Sequence, residues 1–336
     1  MTAPKHIIIA LISSLLISFS SLSAQASAST NPVGFVKLDI AANGYTFIGT
    51  PLVKTESFIG SVVSVSANEV TFNPDTFILG DFNQVVIDSE SVPQYIFEVT
   101  SGSDVGAMIP IVSNSSDTLT LSEDVSAFVL AGTTGVVRAL HTLDSLFPSG
   151  EPLNEGSSAA SADEVLIFDS VSQTTKSYFY YSFLGTEEWR SGSVPNGLRS
   201  ILPNQAIYIY RKDSATSVTF AGSVKIGTTA IDIFPGYNLI PNPYPVAYSF
   251  DSSDLYTGNP STGLAAGSSP ASADEVIVYD PNASPTTYFY YSFLGTNEWR
   301  TGSTPAGDIE IPAGGAIMIN RKSLEGSFSW VKTQPF

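Results

Sequence analysis

Hydrophobic and polar positions along this chain alternate with the short period of strands rather than the longer period of helices. Val165-Leu166-Ile167-Phe168, Ala206-Ile207-Tyr208-Ile209-Tyr210 and Ala316-Ile317-Met318-Ile319 are short apolar runs rich in β-branched and aromatic residues, bounded by Asp, Pro, Gly and Asn. Ser61 to Phe72, Tyr95 to Thr100, Ile109 to Val112 and Thr118 to Leu121 read as further strands, separated by Asn, Gly, Asp and Ser turns. No long segment carries a 3.6-residue period. Helical expectations are confined to short pieces such as Thr142 to Leu146, where Thr142 is placed to cap a single turn. The pattern predicts an all-β protein.

The strand pattern is also repeated. Tyr-Phe-Tyr-Tyr-Ser-Phe-Leu-Gly-Thr occurs at Tyr178 to Thr186 and again, unchanged, at Tyr288 to Thr296. Ser161 to Val165 recurs at Ser272 to Val276, Glu188-Trp189-Arg190 at Glu298-Trp299-Arg300, and Arg211-Lys212 at Arg321-Lys322. Upstream, Gly34-x-Val-Lys, Gly44-Tyr45 and Pro51 are matched to Gly222-x-Val-Lys, Gly236-Tyr237 and Pro243. About 85 additional residues, roughly Val53 to Val137, separate the opening of the first unit from its repeated core, which an inserted module explains. The expected architecture is two related β-sandwich or barrel-like units in tandem with a small β module inserted in the first. The first unit spans 27–52 and 138–220, the inserted module 53–137 and the second unit 221–336.

The N-terminus changes the picture by adding a destination. Lys5 and His6 precede an apolar run from Ile7 to Phe19 and small residues around Ala24-Gln25-Ala26, the three-part pattern of a secretory signal with cleavage expected after Ala26. The apolar run is broken by Ser13, Ser14 and Ser18 and is too short to cross roughly 30 Å of hydrocarbon. An exported protein of the periplasm, cell surface or medium is expected, with no membrane span after processing. An outer-membrane barrel fits poorly. Counting back from Phe336 in steps of two meets Gln334 and Lys332 where lipid-facing residues belong, and Pro335 interrupts.

The chain has no cysteine, so disulfides and thiolate chemistry are excluded. Loss of residues 1–26 removes Lys5 and no acid, which leaves 13 basic against 31 acidic side chains and a net charge of −18. Nucleic acid and anionic membranes are therefore not expected partners. After processing His141 is the single histidine, no Gly-x-Ser-x-Gly elbow accompanies it, and zinc sites normally need several His or Cys ligands. No catalytic residue, metal or cofactor is assigned.

Carboxylates are the remaining source of acid–base chemistry. Asp163-Glu164 and Asp274-Glu275 are adjacent pairs, but neighbours on a strand point to opposite faces, so they read as loop ends that start strands. A catalytic alternative, a secreted carbohydrate-active enzyme with its cleft between the two units, would draw first on Asp144, Asp251 and Asp254, which lie in segments that differ between units.

Aromatic residues offer binding instead. Tyr178 to Phe183 and Tyr288 to Phe293 are aromatic on both strand faces apart from Ser182 and Ser292, and each precedes a Trp with an adjacent Arg. Tyr180, Trp189, Arg190, Tyr290, Trp299 and Arg300 are therefore the expected ligand-binding residues, able to hold a glycan or a surface protein by stacking and bidentate hydrogen bonding. The competing reading of the same residues is core packing, with the Arg paired to a carboxylate of its own unit and its stem laid on an aromatic ring.

The opening Asn31-Pro-Val-Gly-Phe-Val, Gly44-Tyr-Thr-Phe-Ile-Gly-Thr-Pro, Thr142-Leu143 with Leu146-Phe147-Pro148, and the tyrosine-rich strand before Trp189 together resemble a paralogous family of secreted, uncharacterised all-β proteins from Verrucomicrobia. The resemblance covers about residues 31–336. It implies export and architecture, and no catalytic residue to carry over. Duplication without a catalytic constellation leads to an expectation of a non-enzymatic extracellular or cell-surface protein with a recognition or envelope-structural role. Self-assembly through exposed strand edges is the further alternative.

Overall fold

The computed structural model describes residues 32–280, 283–322 and 326–336. The expected signal peptide, 1–26, lies outside the described residues. The structure is almost entirely antiparallel β, as the alternation predicts.

A six-stranded sheet carries the first copy of the repeated motif. Its order is Val194–Pro195, Thr186–Ser191, Thr174–Phe183, Glu164–Asp169, Ile207–Arg211 and Gly44–Ile48. The alternation works as strand geometry requires, with every second side chain turned the same way. Val165, Ile167, Tyr178, Tyr180, Trp189, Ile207, Ile209 and Ile48 go inward. Leu143, Leu146 and Phe147 close this core from the Leu143–Leu146 helix. Thr142 caps that helix as expected, with Ser145 N donating to Thr142 Oγ1 at 3.3 Å and Thr142 N donating to Ser145 Oγ at 2.8 Å.

A second six-stranded sheet has the order Gly236–Pro241, Ala316–Arg321, Glu275–Val278, Thr286–Phe293, Thr296–Thr301 and Thr304–Pro305. Repeated residues take matching registers: Tyr180 opposes Trp189 as Tyr290 opposes Trp299, and Gly44 opposes Arg211 as Gly236 opposes Arg321. Its core is built on Trp299, Trp330, Phe250 and Tyr288.

The match at the start of each unit differs from the expected one. Gly34 and Gly222 are direct cross-strand partners, because Val33–Ile40 pairs along its length with Thr216–Val224. The strand that precedes Gly236-Tyr237 is Thr229–Ile233, paired with Phe328–Lys332. The similar Gly-x-Val-Lys strings thus sit side by side in one sheet, and the 220/221 boundary falls inside a strand.

Between Glu56 and Ala139 seven strands form a sheet of their own whose two end strands are consecutive in the chain, and Val85–Ile87 pairs separately with Glu90–Val92. The stretch read as one strand from Ser61 to Phe72 is a bent strand, Glu56–Ser61 and Ser64–Ser66, followed by a turn at Ala67 (φ 53°) and the strand Glu69–Thr71. Its first half pairs with Thr134–Ala139 and its second with Glu69–Thr71, which joins the two ends of the sheet. Phe97, Ile109, Ile111, Leu119 and Val137 fill the interior. Lys225, 1 % exposed, reaches into this module to Glu98, whose other oxygen accepts from Arg138 Nε at 2.8 Å.

Candidate functional site

The tryptophans of the repeated motif are core residues. Trp189 is fully buried, donates from Nε1 to the carbonyl of Phe147 at 3.3 Å, and meets the Tyr180 ring edge-on at 5.7 Å. Trp299 is equally enclosed and stacks on Phe250 at 5.0 Å. Tyr180 is buried over Gly150, where a Cβ would stand 2.4 Å from the tyrosine Cγ. Tyr290, half-buried, stacks on Tyr256 at 3.5 Å. Neither tryptophan therefore presents a ring face to a ligand. The cause is parity: residues 178 and 180 share the inward side of the strand, and Trp189 is the direct partner of Tyr180.

The arginines lie on the opposite, outer face. Arg190 sits 3.6 Å above the Tyr181 ring and is held there by Glu188, through bonds of 2.8 Å from Nε and 2.7 Å from Nη2. Arg300 repeats this on Tyr291 and Glu298, at 3.7 Å and 2.7 Å. Beside Arg190 a groove of about 690 Å³ opens on the outer face, lined by Ser157, Ser158, Glu164, Phe179, Tyr181 and Arg190 among others.

Across the same face runs a feature that motif spacing did not reveal. Register places Tyr210 opposite Tyr45 and Tyr208 opposite Phe47. Tyr210 stacks on Tyr45 at 4.6 Å, Tyr45 meets Tyr208 at 5.9 Å, Tyr208 stacks on Phe47 at 5.2 Å, and Phe47 stacks on Tyr279 at 4.1 Å. Five rings form one continuous strip, with Tyr45 48 % exposed and the others half-buried. Lys212 lies 5.3 Å from the Tyr210 ring centre, and the Tyr208 hydroxyl is hydrogen-bonded to Thr175 Oγ1 at 2.8 Å.

The strip is not repeated. The corresponding registers of the second sheet hold Tyr237 opposite Asn320 and Leu239 opposite Met318. The sequence signal was present in Tyr45-Thr-Phe47 and Tyr208-Ile-Tyr210, where aromatic residues alternate with inward Thr46 and Ile209. What joins them is a pairing between residues 165 apart, with the inserted module between.

The suspected carboxylates are structural. Asp163 and Asp274 are buried on Arg211 and Arg321. Asp144 and Asp251 turn out to be counterparts: each opens a short helical turn and packs against a glycine, Gly197 or Gly307, whose backbone carbonyl accepts its N–H at 3.0 Å. Asp254 pairs with Lys332 at 2.8 Å. His141 donates from Nε2 to the Leu52 carbonyl at 3.2 Å, and burial lowers its pKa to about 4. Among the described residues no group of three or more His, Cys, Asp or Glu is placed to hold a metal ion, and no helix is long and apolar enough to cross a membrane.

A second groove, of about 750 Å³, is lined from the inserted module, the first sheet and the second sheet. Glu90 lies on its wall, where Lys176 and Arg199 hold its carboxyl below the usual range. Glu123 and Asp232 also line it, and burial, then the charge of Asp232, pushes the Glu123 carboxyl up.

No protein-family model, curated protein or solved structure matches this chain.

Proposed function

We propose that this is an exported, non-enzymatic recognition protein of the bacterial cell surface or envelope that binds carbohydrate on the outer face of its first six-stranded sheet. The observation that carries the reading is the strip Tyr210, Tyr45, Tyr208, Phe47 and Tyr279, which is aromatic, partly exposed and unduplicated. A packing device needed by both sheets would recur in both, as the buried tryptophans do. The stacked rings leave their edges and the tyrosine hydroxyls towards the surface, so apolar and hydrogen-bonding positions alternate along the strip as they do on a sugar chain. The adjoining groove adds Arg190, Glu164 and five serines as hydrogen-bonding groups.

The reading relocates the expected glycan site from Trp189 and Trp299 to the strip and retains Arg190 at its margin. Retention on immobilised insoluble polysaccharides tests it. Tyr45→Ala and Tyr210→Ala should each reduce retention by up to about tenfold, through the loss of about 0.5–1.5 kcal/mol of stacking, whereas Tyr237→Ala at the matching place in the second sheet should not. Equal retention of all three variants would refute the assignment.

The enzymatic alternative has one observation in its favour, the Glu123 carboxyl raised beside Asp232 in the groove shared by the three modules. It requires polysaccharide cleavage that Glu123→Gln abolishes. Intact polysaccharide after prolonged incubation with the wild type would end it.

A further inference from the structure

The duplicated nonapeptide ends in a feature that neither core packing nor the aromatic strip uses. In each copy Phe, Leu, Gly and Thr form the tip of a hairpin, with Phe183 opposite Thr186 and Phe293 opposite Thr296 across two-residue loops. Leu184 (φ 52°) and Gly185 (φ 79°), like Leu294 (φ 50°) and Gly295 (φ 83°), take the left-handed pair of conformations of a type I′ turn. Asn, Asp or Gly suits the first of these positions; Leu is an unfavourable choice because its Cβ crowds the backbone there. Nor does packing compensate, since Leu184 and Leu294 are each 88 % exposed and the neighbouring Phe183 and Phe293 about half exposed. Both hairpins thus hold a large apolar residue at their most protruding point, in a conformation that disfavours it.

We propose that the tips Phe183-Leu184 and Phe293-Leu294 are anchoring loops that insert into the surface of a lipid layer with uncharged or zwitterionic headgroups. Shape and charge select this occupant. A two-residue turn is convex and offers a protein partner little area unless that partner supplies a fitted pocket, whereas hydrocarbon accepts a protruding side chain of any outline. The four residues of each tip carry no charge, so insertion desolvates no ion. The chain as a whole carries a net charge of −17, which opposes approach to anionic lipid and leaves neutral surfaces favoured. Phe beside Leu is suited to the boundary between headgroups and acyl chains, at the shallow depth a turn can reach. Two tips per molecule raise avidity where both meet the same surface.

Leu184→Asn and Leu294→Asn provide the test, because Asn is preferred in this turn and the substitution removes only the apolar tip. The purified protein is floated with phosphatidylcholine vesicles, and its thermal midpoint and molar mass in solution are measured alongside. The wild type should float with the vesicles. Each Asn variant should lose at least about tenfold in partitioning, the expected worth of one buried leucine, while its thermal midpoint stays level or rises. Three results overturn the proposal: a wild type that stays with the unbound fraction, Asn variants that float as well as the wild type, or Asn variants with a lower midpoint, which makes the leucines structural. A wild-type dimer that the variants convert to monomer, with no flotation, assigns the tips to a second copy of the chain instead.

Discussion

Asp274→Ala should be among the most damaging single substitutions in the second sheet. The Asp274 carboxylate is 1 % exposed. Its Oδ2 accepts from Arg321 Nη1 at 2.8 Å and from the Ala265 amide at 2.8 Å, and Oδ1 accepts from the Lys322 amide at 2.6 Å. Arg321, 2 % exposed, donates also to the carbonyls of Pro260, Gly263 and Gly326. One carboxylate therefore fixes the loop before its strand to the end of the neighbouring strand. Removing it leaves a buried guanidinium without its counter-charge, a change that costs about 3–5 kcal/mol, and strips two backbone amides of their acceptor. Replacing Arg321 by Met instead leaves the carbonyls of Pro260, Gly263 and Gly326 without that donor, and because the two residues act as one unit the double variant should lose less than the sum of the two single losses. Urea unfolding followed by tryptophan fluorescence is the assay, since Trp299 and Trp330 lie in the same core. A loss under about 1 kcal/mol for Asp274→Ala, or losses that simply add in the double variant, would refute the reasoning.

Other consequences are independent of that pair. Lys225→Met should destabilise the inserted module by about 3 kcal/mol, because it leaves Glu98 buried with less cationic compensation; hydrogen exchange should show faster opening across Tyr95–Val99 and Thr134–Ala139 than in the six-stranded sheets. His141 has its pKa lowered from 6.5 to about 4, so the folded state favours the neutral ring. Its contribution is complete above pH 6.5 and is lost as pH falls towards 4, on the order of 3 kcal/mol in all. His141→Gln should flatten the stability profile across that interval, and an unchanged slope would contradict the burial argument. Gly150→Ala, at φ 75° against the Tyr180 ring, should lower the thermal midpoint measurably, with calorimetry as the check.

The all-β class, most strand positions and the capped turn at Thr142 were legible because they rest on local periodicity and capping chemistry. Parity along Tyr178 to Phe183 was legible too, but not which parity faces inward, since both faces are aromatic. That ambiguity placed Trp189 among binding residues when its partner Tyr180 commits it to the core. Pairing across the inserted module was not legible, which hid both the aromatic strip and the contact of Gly34 with Gly222. The correspondence of Asp144 with Asp251 is hidden because their surroundings, Thr142 to Ser145 and Ser249 to Ser252, share only an Asp-Ser pair, although the two turns use equivalent hydrogen bonds. Side-chain chemistry was preserved there while residue identity was not.

The central claim is recognition of carbohydrate by the strip, and a broad glycan array probed with the wild type and with Tyr45→Ala tests it most directly. Circular dichroism is used to verify that both proteins are folded. The account predicts selective binding by the wild type that the folded Tyr45→Ala variant loses. A folded wild type that binds no glycan, or a variant that binds the same glycans with the same strength, would contradict it.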